Sequence, residues 1–144
     1  MNFSPLHRMV TGIAALILAA SLATAASAEI SVKDLRGRTV ILAGPAQRVV
    51  ATFNLEEILA VLGPEAEQHL AAWSHGYWKG RRQWIWQKYA EALPWLGQLP
   101  DVGYIGKKTF SVEKTVSMRA DLVIMSISSE SSAAAEVKKL ENAG

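Results

Sequence analysis

The sequence contains no cysteine in its 144 residues. A disulfide scaffold, a thiolate metal site and a cysteine nucleophile are therefore excluded, as is a lipid hung on a cysteine. Surplus charge is nearly missing too: 15 Lys and Arg face 13 Asp and Glu, a formal net charge of +2. A nucleic-acid reader normally carries a dense basic face, so this balance argues against nucleic acid as a partner. Long apolar runs are also scarce. The one present, Met9 to Leu22, is shorter than the ~20 residues of a spanning helix and is rich in small side chains.

What surrounds that run gives it a meaning. Arg8 supplies a basic start, and the small residues Ala26-Ser27-Ala28 supply an A-x-A end. These are the three parts of a secretory signal peptide, expected to be removed after Ala28. Taking those 28 residues from 144 leaves 116, and losing Arg8 leaves 14 basic against 13 acidic groups. The expected product is a soluble periplasmic protein with one modest core.

Within the remainder, Ile30 to Asp34 alternates, Leu35 to Arg38 can turn, and Thr39 to Leu42 is apolar and β-branched, which predicts a hairpin. Arg48 to Phe53 reads as a short strand buried on both faces. Asn54 is placed to cap a helix whose inner stripe is Leu55, Ile58, Leu59 and Leu62, stopped by Gly63-Pro64. A strand at Leu70 to Trp73, a loop at Ser74 to Tyr77 and a helix from about Arg81 to Leu93 follow. Asp101 to Tyr104 predicts a very short strand and Ser111 to Met118 a helix. Asp121 to Met125 reads as the clearest buried strand. Ser128 or Ser129 would cap a last helix with Ala133, Ala134, Val137 and Leu140 inward, ending at Asn142-Ala143-Gly144. This order predicts an α/β fold: a Rossmann-like parallel sheet with flanking helices, preceded by a β-hairpin. A helix end at Gly144 would normally lead into another strand, so the expectation is a chain cut at an element boundary.

Ligands of open parallel sheets bind beyond the carboxyl ends of the strands. Here those ends carry Asn54, the stretch Trp73 to Trp78, and Tyr104. All five tryptophans fall between Trp73 and Trp95. Trp73, Tyr77 and Trp78 could stack on a flat ligand, against the plainer reading that they pack the core. Arg81 and Arg82, with Lys79, could hold an anion, or could simply be a solvated helix start. His75 lies at a ligand end, whereas His69 reads as structural. Two histidines, one well placed, are a weak basis for a bare-metal cage. No G-x-S-x-G, H-E-x-x-H, G-x-x-x-x-G-K or G-x-G-x-x-G motif is present. Ser74 and His75 are adjacent, but no third orienting group can be assigned to them.

Four segments in order resemble a known family. Val32-Lys33-Asp34-Leu35-Arg36-Gly37-Arg38-Thr39-Val40 with Gln47-Arg48-Val49-Val50 resembles the start of periplasmic binding proteins for iron chelates and vitamin B12. Pro100-Asp101-Val102-Gly103 resembles that family's P-x-V-G. Phe110 to Glu113 and Met118 to Ile124 resemble its N-x-E…P-D-L-V-I segment, with Ala120 in place of the proline. The resemblance covers about Val32 to Ile124 and is to an N-terminal lobe; the family's linker helix and second lobe have no counterpart. It implies no catalysis and no cofactor. It implies a monomeric receptor that hands a small-molecule metal chelate (ferric siderophore, haem or cobalamin) to an ABC permease in the inner membrane. Glu113 matches the carboxylate that docks on the permease. The family has no fixed pattern over Trp73 to Arg82, so the ligand stays open. An oxyanion of the molybdate type and a single-lobe interaction module are the alternatives.

Overall fold

The computed structural model describes residues 28–126 and 130–143. The expected leader up to Ser27, the Ser128/Ser129 cap and Gly144 lie outside the described residues. The protein is an α/β fold. A two-stranded antiparallel hairpin precedes a three-stranded parallel sheet in which Val49–Ala51 lies between Leu70–Trp73 and Leu122–Ile124.

The hairpin pairs β1 (Ile30–Lys33) with β2 (Thr39–Leu42) in the register Val32 to Val40. Asp34 closes its turn. One carboxylate oxygen accepts the backbone N–H groups of Arg36 and Arg38 at 2.8 and 2.9 Å, and Gly37 takes the positive φ of 76°. The central strand β3 (Val49–Ala51) is buried throughout, as its unbroken apolar run predicts. Its start is tied to the start of β5 (Leu122–Ile124) by Asp121, whose carboxylate accepts the N–H groups of Gln47 and Arg48 at 2.8 and 2.9 Å.

Helix α1 (Leu55–Leu62) follows β3, and a 3-10 turn and the short α2 (Ala66–His69) lead into β4 (Leu70–Trp73). Then come α3 (His75–Arg81), α4 (Gln83–Ala92), α5 (Val112–Ser117) and α6 (Glu130–Ala143). Two apolar clusters sandwich the sheet. On one face Ala51, Leu55, Ile58, Leu70, Trp73, Trp78 and Leu96 are buried, with Ile85, Trp86, Tyr89 and Leu93 of the α4 region packed on them. On the other, Val50, Ala72 and Val102 meet Phe110, Met118, Ala120 and Val123.

Five expectations need correction. The loop at Ser74 to Tyr77 is instead the start of helix α3. The Asp101 carboxylate, 26 residues away, accepts the His75 N–H at 3.1 Å and so satisfies a helix-start donor from outside the local sequence. The helix expected from about Arg81 to Leu93 is present as α4 (Gln83–Ala92), set off from α3 by the non-helical Arg82 (φ −127°, ψ 41°). Asp101 to Tyr104 forms a single parallel bridge to Trp73, because Gly103 at φ 77° turns the backbone away. Asn54 makes no side-chain cap bond; it takes the left-handed conformation (φ 55°), which asparagine tolerates. The strand expected to be most buried, β5, is half-buried and its Ile124 is exposed, because β3 alone among the described strands lies beside it. In α6, Ala133 is buried and Val137 and Leu140 half-buried, but Ala134 faces out.

Candidate functional site

The carboxyl ends of β3 and β4 are held together by backbone bonds before any side chain acts. Ser74 N–H donates to the Ala51 carbonyl at 3.0 Å, and Thr52 N–H to the Ile124 carbonyl at 3.0 Å. Trp73 N–H reaches the Pro100 carbonyl at 3.2 Å, laying the Asp101 loop across the sheet end. Asp101 is the hinge pin of that loop. The carboxylate oxygen that accepts from His75 also accepts the Gly103 N–H at 2.9 Å. The Ser74 hydroxyl donates to the Gly103 carbonyl. Glycine is required at 103: a Cβ there would lie 1.9 Å from the Thr109 carbonyl oxygen.

His75 is the chemically unusual member. It is 6% exposed, and its Nε2 is buried without a hydrogen-bond partner. Its ring lies 4.9 Å from that of Trp73 and stacks on Trp86 at 6.1 Å and 30°. Burial pushes its pKa down, and the nearby Lys79 charge adds to this. Asp101 and the Leu99 backbone pull partly the other way. The ring is therefore held neutral at pH 7, as an imidazole with one buried, unpartnered nitrogen.

The other predicted residues divide sharply. Trp73 is 2% and Trp78 3% exposed. Trp73 donates its indole N–H to the Leu96 carbonyl at 3.3 Å. Both rings are spent on the core, which corrects the idea that they form a stacking platform: their faces are covered by neighbours within the lobe. The Tyr77 side chain lies outside the described residues. Arg82 is pinned, with its guanidinium 3.2 Å from Glu56 and 5.2 Å from the Trp78 ring. Arg81 is exposed, and Lys79 sits 5.1 Å from the Trp86 ring centre. Tyr104, half-buried, is joined to the Thr109 hydroxyl through its N–H at 3.0 Å. Asn54 is exposed at the end of β3. The structure thus brings His75, Asn54 and Tyr104 to the sheet end and withdraws the two tryptophans.

Glu113 stands in the first turn of α5, exposed, where it accepts from the Ser111 hydroxyl at 3.2 Å. Its own backbone N–H and that hydroxyl hold its carboxyl below the usual range. Helix α5 runs back toward the start of β5, so its N-terminus lies at the same end of the sheet as His75. Lys114 confirms the proximity by reaching the Asp101 carbonyl at 3.4 Å.

Sequence reasoning missed the Ser74–Asp101–Gly103 network. Its visible signals were an Asp two residues before a Gly and a Ser at a strand end. Among the described residues, no group of three or more His, Asp or Glu comes together to hold a metal.

Comparison with solved structures gives this arrangement a relative. The chain resembles a periplasmic binding protein. The crystal structure of the TroA-like periplasmic binding protein FepB from Veillonella parvula matches it with a TM-score of 0.73 at 28% sequence identity. The match covers 80% of this chain and 34% of that one, so the chain spans about a third of the relative's length. No family model and no curated protein matches the sequence.

Proposed function

We propose that the chain is the N-terminal lobe of the solute-binding component of an ABC importer. In this reading it acts in the periplasm after loss of its leader, as a monomer and not as a lipoprotein. It captures a chelated iron (ferric siderophore, haem or cobalamin) and delivers it to an inner-membrane permease. The single observation that carries the reading is the structural likeness to a periplasmic binding protein over 80% of the chain. The ordered family-like motifs from Val32 to Ile124 support it. The ligand face is the sheet end around Asn54, His75 and Tyr104, with Arg81 and the Tyr77 segment at its rim. Glu113, exposed at that same end, is the permease-docking residue. No catalysis is proposed, because the Ser74 hydroxyl is engaged by Gly103 and is not offered to His75.

The test is isothermal titration of the exported protein with ferric siderophores, haem and cobalamin. The expected result is one site at micromolar Kd or tighter; no ligand reaching about −8 kcal/mol would sink the proposal. If a ligand binds, Glu113→Ala is expected to leave that affinity unchanged while abolishing transport in cells.

The burial of Trp73 and Trp78 favours a second reading within the same class, an oxyanion of the molybdate type held by backbone amides and Arg81. Tryptophan fluorescence separates the two. A porphyrin or catecholate chelate bound at the sheet end quenches Trp86 beside His75 strongly, and an oxyanion does so little.

A further inference from the structure

Helix α3 is loosely built for its position. Its sequence His75-Gly76-Tyr77-Trp78-Lys79-Gly80-Arg81 places two glycines in a seven-residue helix, and glycine is among the weakest helix formers. Packing asks for neither: a Cβ added at Gly76 or Gly80 would meet nothing within 4 Å. Two side chains hold the helix down instead. Trp78, buried in the apolar cluster, anchors its second half, and the buried His75 ring fastens its first turn. The His75 fastening suits one charge state only. Nε2 is buried without a partner, so the ring's hydrogen bond to the Leu99 backbone uses Nδ1. A proton added to Nε2 in this position is a buried donor with no acceptor. The neighbouring rings do not offset that cost. Trp73 lies tilted at 50°, and Trp86, stacked at 30°, already carries the Lys79 ammonium 5.1 Å from its centre. Of the charged groups facing the ring, Lys79 of α3 opposes the proton and Asp101 of the adjoining loop favours it. The elements β4 and α4 present the uncharged Trp73 and Trp86. In water none of these costs applies, so the proton is best accepted with the ring turned out.

We propose that α3 is an acid-released flap at the carboxyl edge of the sheet: protonation turns the His75 ring out from beside Trp73 and Trp86 and frees the first turn of the helix. The far end stays fixed, because Trp78 is buried in the cluster and Arg82 is paired with Glu56 at 3.2 Å. The motion is therefore a local hinge and not global unfolding. The glycine beside the latch gives the backbone its freedom: Gly76 is exposed, with open space where a side chain would be. Since α3 starts at the edge proposed as the ligand face, opening loosens that face in acid. This bearing on the ligand rests on the binding reading, whereas the opening itself does not.

The experiment uses the exported protein without ligand, so that it stands or falls apart from the binding reading. Acrylamide quenching of tryptophan fluorescence is followed from pH 7.5 to 5, with far-UV circular dichroism recorded beside it. The quenching constant is expected to rise at least twofold in a one-proton transition centred below the ordinary histidine pKa of 6.5, while the dichroism is largely kept. His75→Gln is expected to abolish the transition, and His69→Gln, in the other described histidine, to leave it in place. Gly76→Ala, a substitution into open space, strengthens the closed helix and is expected to move the midpoint to lower pH. That variant keeps the test open even where His75→Gln does not fold. The proposal is overturned by constant quenching down to pH 5, by a transition that survives in His75→Gln, or by a midpoint unmoved in Gly76→Ala. Collapse of the far-UV signal in the same step overturns it too, because the event is then global.

Discussion

The two flanks of the central strand β3 are built from equally apolar sequence and end up in different states. On the β4 flank, Leu70 and Trp73 are buried under α1, α4 and the Leu96 turn, and Ala72 is buried beside Val102 on the other face. On the β5 flank, Leu122 and Val123 are half-buried and Ile124 looks into an open groove. Apolar composition marks a strand as able to enter a core. Whether it does so depends on what the neighbouring elements lay over it. The β4 flank is also where the polar network of Ser74, Asp101 and Gly103 sits, so rigidity and the candidate ligand face coincide there.

The largest effect expected from this contrast is at Trp73. Truncation to Ala removes a fully buried indole and leaves the Leu96 carbonyl without its donor, at a cost of about 3–5 kcal/mol. Urea unfolding followed by fluorescence of the remaining tryptophans measures it, and a loss under 1 kcal/mol would mean the β4 flank is not the tight one. Next in size is Gly103→Ala. The positive φ and the Thr109 carbonyl together force the loop to move, costing roughly 2–3 kcal/mol. Because that movement also releases Asp101 from Gly103, the same variant should perturb the His75 ring, visible as a shifted imidazole titration by NMR.

His75 gives the β4 flank a pH dependence below neutrality. Its folded pKa lies below the unfolded value of 6.5, so the unfolded chain takes up a proton that the folded chain refuses. Stability from this group is complete above pH 6.5 and is lost as pH falls from there toward the folded pKa. Unfolding midpoints at pH 7.5 and 5.5 should differ in that direction, and His75→Gln should shrink the difference. An unchanged slope in the variant would show that His75 is not the source.

Much of this was readable beforehand, and the parts that were not share a cause. The hairpin, β3, β4, α1 and α5 follow from local alternation, helical stripes and caps such as Ser111, whose hydroxyl accepts the Lys114 N–H at 3.2 Å. The start of α3 was not legible because its donor is satisfied by Asp101 from 26 residues away. Trp73 and Trp78 were misplaced for the same reason: their neighbours Leu96 and Tyr89 arrive from separate elements, and position in the chain says only that the rings lie near a strand end. Of the candidate site, the placing of Asn54, His75 and Tyr104 at the carboxyl edge of the sheet was legible, since that edge follows from topology. Which side chains stay open there is decided by packing.

The smallest expected effect is also the one that tests the contrast from its weaker side. Ile124→Ala removes a large side chain from β5, and in a closed core that change costs about 2–5 kcal/mol. Here 39% of the residue is already in water and its outer face touches only the groove, so the expected loss is under about 1 kcal/mol. Chemical denaturation of the variant beside Trp73→Ala reads both values under one condition. A cost for Ile124→Ala equal to that of a core truncation would mean something covers β5 in solution. The asymmetry between the flanks would then belong to the bare chain and not to the working protein.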